Sequence, residues 1–202
     1  LRLSWQPGAG EDFSPDAFLG AWIPRGDLEI DFAPTGRTRS IAASNWFAAS
    51  HISPCEAESR GLVHAFDSDP EALCGLAFRG YLLTPPIHMW CDSAEIWRYW
   101  RHPEATHNGI FAAVRISRGG RRAELISDAL GISPLYYRVW NGVLLFATSA
   151  RLLAAPGDRM DRLAGRALIQ MGYVCGNRSL TAGVRRVPPG SRLLWPTPGG
   201  FA

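Results

Sequence analysis

Ser127-Asp128-Ala129-Leu130-Gly131-Ile132-Ser133-Pro134-Leu135-Tyr136-Tyr137 leads through Arg138-Val139-Trp140-Asn141-Gly142 into Val143-Leu144-Leu145-Phe146-Ala147-Thr148-Ser149. Gly131 and Pro134 are bend formers between apolar stretches. Asn141-Gly142 supplies the positive φ angles of a two-residue hairpin, so Leu135–Val139 and Val143–Ala147 are expected as antiparallel strands. The tyrosine pair is expected to pack.

Working outward, the same pattern repeats upstream. Ile110–Ile116 and Ala123–Ile126 flank a turn at Arg118-Gly119-Gly120, and short turns of this kind imply antiparallel pairing. Ala17–Ile23, Leu62–Phe66 and Leu76–Leu83 read as further strands. Leu28–Phe32 and Arg37–Ala43 flank Ala33-Pro34-Thr35-Gly36, a plausible hairpin turn, while residues 44–61 carry no clear period. Asp92-Ser93-Ala94-Glu95 has capping-box spacing and should start a helix that stops before Pro103. Ser149–Leu153 and Arg162–Met171 read as helices, the second ending at Gly172. Strands in succession with helices set beside them indicate an α+β fold rather than a doubly wound parallel one. The polar, Gly/Pro-rich residues 1–15 look like a flexible arm, and residues 196–202 have linker composition.

Composition narrows the function classes. The 202 residues fit one domain with a sizeable core. No apolar run approaches the roughly 18 residues of a membrane span, and no signal peptide is evident, so a cytoplasmic protein without a membrane partner is expected. All 21 basic residues are arginine, a pattern that GC-rich coding explains, and the net charge is only +3. Those arginines are dispersed rather than interleaved with aromatics, so no nucleic acid partner is expected. Cys55, Cys74, Cys91 and Cys175 are far apart, and His51, His64, His88, His102 and His107 lack ligand spacing, so no metal site is expected. Dinucleotide, phosphate-loop and nucleophile-elbow patterns are absent from the sequence.

Four segments in order carry a resemblance. Asn108-Gly109-Ile110-Phe111-Ala112-Ala113, the Asp128–Tyr137 run, Leu144-Leu145-Phe146-Ala147, and Arg178-Ser179-Leu180-Thr181-Ala182-Gly183-Val184-Arg185-Arg186-Val187-Pro188-Pro189-Gly190 stand as they do in asparagine synthetases. Over residues 16–195 the chain resembles the N-terminal glutaminase-like domain of that family, a class II glutamine amidotransferase domain. The resemblance implies the N-terminal-nucleophile (Ntn) hydrolase fold, an αββα four-layer sandwich of two antiparallel sheets. Asn108, Gly109, Asp128, Gly131, Pro134, Pro188, Pro189 and Gly190 are its motif residues, in roles that are mostly architectural.

In working relatives a mature N-terminal cysteine attacks the glutamine amide, with its own α-amine as base. An Asn-Gly pair supplies donors to the oxyanion, and an Asp and an Arg hold the substrate's amine and carboxylate. Here Asp16-Ala17-Phe18-Leu19-Gly20 fits the Cys-x-x-x-Gly frame with Asp16 in the nucleophile's place, and the first cysteine is Cys55. Arg79-Gly80 matches the oxyanion pair with Arg79 in place of Asn. Ser93 falls at the amine-binding Asp, though a shift of one residue would restore Asp92, and Arg60 is the nearest candidate for the carboxylate-binding Arg. Asp16, Arg79, Gly80 and Ser93 are thus the expected vestigial positions, with no catalytic residue among them.

A retained fold with a lost nucleophile resembles the N-terminal domains of β-lactam synthetases and lasso-peptide macrolactam synthetases. There a C-terminal synthetase domain activates a carboxylate with ATP and magnesium, and an amine already on the substrate attacks it. The expectation is therefore a non-catalytic domain whose partners are its own synthetase domain and a peptide substrate, with no cofactor of its own. An active amidotransferase domain and a stand-alone peptide- or partner-binding module are the alternatives.

Overall fold

The computed structural model describes residues 2–5, 17–23, 28–32, 38–43, 45–51, 63–65, 75–84, 88–90, 108–117 and 121–196. The described strands form two six-stranded sheets and one two-stranded sheet. The first contains β2 (Phe18–Trp22), β4 (Thr38–Ala43), β5 (Trp46–His51), β11 (Tyr136–Trp140), β12 (Val143–Ala147) and β13 (Arg185–Arg186), in the order β13-β11-β12-β2-β5-β4. The second has the order β14-β10-β9-β7-β6, from β6 (Val63–Ala65), β7 (Gly75–Thr84), β9 (Asn108–Ile116), β10 (Ala123–Ser127) and β14 (Arg192–Trp195). Its remaining strand, β8 (His88–Trp90), pairs with β7. Every pairing within these two sheets is antiparallel.

The sheets stack face to face because each central strand presents one apolar face to the other sheet. Phe18, Trp22, Trp46, Leu144 and Phe146 of the first sheet share a buried cluster with Ala77, Ala112, Val114, Ile116 and Leu125 of the second. Full burial of side chains as large as Trp22, Phe18 and Phe146 contributes roughly 2–3 kcal/mol each. The alternate residues of β2 and β12, Leu19, Ala21, Val143 and Leu145, face outward. They are covered by Leu152 and Leu153 of a 3-10 turn at Ala150–Leu153 and by Val184. On the far side of the second sheet, Leu76, Phe78, Leu82, Phe111 and Ile126 form a third cluster, with Phe78 and Phe111 stacked at 6.0 Å. Beside it Glu124, also buried, bonds Arg192 at 2.7 Å and Arg115 at 3.1 Å. Burial draws the Arg115 pKa down, against the opposing pull of Glu124. This is a sandwich of two stacked antiparallel sheets, as expected.

Several expectations are corrected. The strands that flank residues 33–36 do not pair with each other. β3 (Glu29–Phe32) pairs in parallel with β1 (Arg2–Trp5), while β4 pairs with β5 in the large sheet. Turn residues mark where the chain can reverse, not which strand it then meets. Arg2–Trp5, within the expected loose arm, is therefore a strand. Ala150–Leu153 is a single 3-10 turn instead of an α-helix, too short to propagate. Residues 44–61 contain β5, a strand that the sequence did not reveal.

The helix α1 (Arg162–Met171) forms as expected. Asp161 caps it by accepting from the backbone N–H groups of Leu163 and Ala164, and Gly172 ends it in the left-handed conformation. Arg178 also bonds Asp161 at 2.7 Å. The helix expected after Asp92 and the linker residues 197–202 lie outside the described residues.

Candidate functional site

The decisive stretch owes its shape to one carboxylate. Asp128 is buried, 1% exposed, at the end of β10. Its Oδ1 accepts from the backbone N–H groups of Leu130 at 2.9 Å and Ile132 at 3.1 Å, and its Oδ2 from that of Ser133 at 2.9 Å. Three donors on one buried carboxylate fold the loop around the side chain. The loop then turns at Gly131, which has φ +65°. A Cβ there would sit 2.9 Å from the Pro189 ring, so both the dihedral and the packing call for glycine.

Pro188-Pro189-Gly190 straps this loop from outside. The Ser127 hydroxyl donates to the Pro188 carbonyl at 2.5 Å, the Gly190 N–H to the Asp128 carbonyl at 2.8 Å, and Arg186 to the Gly131 carbonyl. The structure thus brings Asp128, Gly131, Pro188, Pro189 and Gly190 together as a scaffold. Half-buried Pro134 follows in the same loop, and the Val187 N–H bonds the Leu135 carbonyl just beyond it. Asn108 and Gly109 open β9, whose Phe111 carbonyl accepts from the Asp128 N–H at 3.0 Å.

The strand at the nucleophile's place is β2. Asp16 lies outside the described residues, but the start of β2 is pinned. The Phe18 N–H donates to the Thr148 hydroxyl at 3.2 Å, and the Thr148 N–H donates to the Phe18 carbonyl at 3.0 Å. Buried Thr148 is a positioning residue that sequence reasoning missed; its signal was its place directly after Phe146-Ala147. Phe18 meets Ala77 of β7 in the core between the sheets.

Arg79 and Gly80 lie on β7, opposite Ala112 and Phe111 of β9. Leu76, Phe78 and Leu82 all belong to the outer cluster, whereas Ala77 faces the other sheet, so the alternation is unbroken and Arg79 lies on the inter-sheet face. Its side chain is half-buried and makes no hydrogen bond or ion pair among the described residues. Gly80 has φ +107°, and a Cβ would fall 2.0 Å from the Ile110 carbonyl oxygen. The glycine of the expected oxyanion pair is therefore fixed by the close approach of β9. Its neighbour is a guanidinium where the family pattern has an amide.

Ser93 and Arg60 lie outside the described residues. Cys175 is an exposed free thiol in the loop after α1. No three His, Cys, Asp or Glu side chains cluster as metal ligands, and no helix is long and apolar enough to cross a membrane, among the described residues.

Among solved structures, glutamine phosphoribosylpyrophosphate (PRPP) amidotransferase from B. subtilis, complexed with ADP and GMP, shares 11% identity over 88% of this chain, with a TM-score of 0.49. The match spans 46% of that chain. No curated protein matches. A family model described as a glutamine amidotransferase domain matches residues 97–199, which include Asn108-Gly109, the Asp128 loop and the Pro188-Pro189-Gly190 strap. The chain belongs to the glutamine amidotransferase domain family.

Proposed function

We propose that this chain is a non-catalytic glutaminase-like domain of an asparagine-synthetase-like, ATP-dependent amide-forming ligase. Within that class the reading favours the intramolecular branch, such as lasso-peptide cyclases, which dispense with ammonia. The observation that carries it is the pairing of an intact scaffold with Asp16 in the nucleophile's frame. A carboxylate there cannot form the thioester through which glutamine would be hydrolysed. Arg79 beside Gly80 supports the same reading, because a half-buried guanidinium replaces the neutral amide donor.

The Ser-Gly-Gly-x-Asp-Ser pattern of an ATP loop is absent from the sequence, so ATP and magnesium are not assigned to these residues. In this reading both belong to a synthetase domain elsewhere in the polypeptide.

Two measurements test the proposal. Purified chain incubated with glutamine should release no glutamate above buffer; turnover that survives replacement of all four cysteines would expose a nucleophile other than a thiol and end the non-catalytic reading. Intact mass and peptide sequencing of the native polypeptide should give a heavier chain carrying Ser-Gly-Gly-x-Asp-Ser. A native mass near 22.1 kDa would refute the ligase assignment.

A further inference from the structure

Helices packed on a sheet normally bury their large apolar residues. Helix α1 does the reverse. Its buried residues are Ala164 and Gly165, its two smallest types, while Ile169 is 86% exposed and Leu163 57%. At 3.6 residues per turn its surface divides into rows of residues four apart. Exposed Arg162, Arg166 and Gln170 form one row. On one side runs the row of Leu163, Ala167 and Met171. On the other side stand Ile169, one turn on from buried Gly165, and Met160, which lies across that glycine and is itself 63% exposed. The outward face is thus a basic ridge between two apolar rows.

The charge on this face has no ion-pair partner among the described residues. Between residues 150 and 183 the only acids are Asp158 and Asp161. Asp158 is taken by Arg138 and Asp161 by Arg178. Exposed Arg159, Arg162 and Arg166 form no ion pair among the described residues.

We propose that this face of α1 is a docking surface for an acidic amphipathic helical segment of a protein partner. Such a segment would set carboxylates spaced i, i+4 against Arg162 and Arg166 and lay apolar side chains on the flanking rows. Charge complementarity selects this occupant. A second copy meeting face to face would oppose arginine ridge to arginine ridge. An in-plane membrane helix presents an apolar centre with basic edges, the opposite banding. A carboxylate row flanked by leucines satisfies both the guanidinium forks and the exposed rows.

The test uses a synthetic helical peptide with glutamates at i and i+4 along one line and leucines on both sides. Its twin carries lysines in place of the glutamates. Titration by fluorescence anisotropy should show the glutamate peptide binding at least about tenfold more tightly than the twin, with affinity falling as salt rises. Arg162→Glu with Arg166→Glu should invert that preference, and Ile169→Glu should abolish binding while circular dichroism stays unchanged. Equal affinity for the two peptides, or binding of neither, would overturn the proposal. So would a dimer in sedimentation that Ile169→Glu dissociates, or co-pelleting with phosphatidylglycerol vesicles in the absence of peptide binding.

Discussion

Gly131 and Gly80 stand in two regions that the family pattern treats alike and the physics does not. Around Gly131 the loop is held by a dense set of hydrogen bonds. Asp128 closes its own loop, Ser127 and Gly190 tie that loop to the strap, and Arg186 holds the Gly131 carbonyl. Around Gly80 only the backbone is constrained. The glycine is fixed by the carbonyl of Ile110, while neighbouring Arg79 has no partner among the described residues. The Gly131 region is thus fixed by packing and hydrogen bonds, whereas the Arg79 side chain has neither hydrogen bond nor ion pair among the described residues. The family motif in this chain is therefore a statement about architecture.

Four substitutions probe that contrast. Asp128→Ala should have the largest effect, leaving three loop N–H groups without their acceptor and costing roughly 3–4 kcal/mol in urea denaturation. A loss below about 1 kcal/mol would mean that water replaces the carboxylate. Gly80→Ala comes next, at about 2–3 kcal/mol, since strain at positive φ adds to a clash with backbone. If it proves harmless, β7 and β9 do not need their close approach.

Asp158→Asn should cost about 1–2 kcal/mol at neutral pH, because its bonds to Arg138 link β11 to the loop after the 3-10 turn. The hydrogen bond from Arg138 holds the Asp158 carboxyl below its ordinary value, against the raising effect of burial. As pH falls through the ordinary carboxylate value, the unfolded chain takes up the proton first. The stabilisation is thus full above about pH 4 and disappears as pH drops toward the lowered folded value. Below that point the curves of Asp158→Asn and the parent should converge; a constant gap would assign the effect to packing. Arg79→Asn should change stability least, within about 0.5 kcal/mol, and should not by itself create glutamate release. A large loss would show that Arg79 belongs to the scaffold after all.

Much of the fold was legible in the sequence, for local reasons. Asn141, at φ +49°, and Gly142 fix the β11–β12 hairpin, and Asp161 and Gly172 bound α1. What stayed hidden depended on contacts distant in sequence. β5 escaped because Trp46 and Ala48 belong to the core between the sheets while Phe47 and Ala49 belong to the cluster on the far face of the first sheet, with Leu152 and Leu153, leaving no polar alternation to read. The role of Asp128 was hidden because a motif gives its position but not its three bonds. Of the positions expected to be vestigial, Arg79 and Gly80 fall on the expected strand, while Asp16 and Ser93 lie outside the described residues. Thr148 was missed because its value is its reach to Phe18, a partner 130 positions away.

The strap has a consequence for synthesis. Only residues 187–191 separate β13, at the edge of one sheet, from β14, at the edge of the other, and Trp195 then packs at 5.2 Å against Tyr137 of the first sheet. The final strand thus works as a clasp. On a ribosome, strands β2 through β12 can emerge and pair, yet β10 must keep one edge open until residues 192–195 arrive to cover it. Nascent chains stalled just before the strap should be captured by chaperones that bind exposed strand edges.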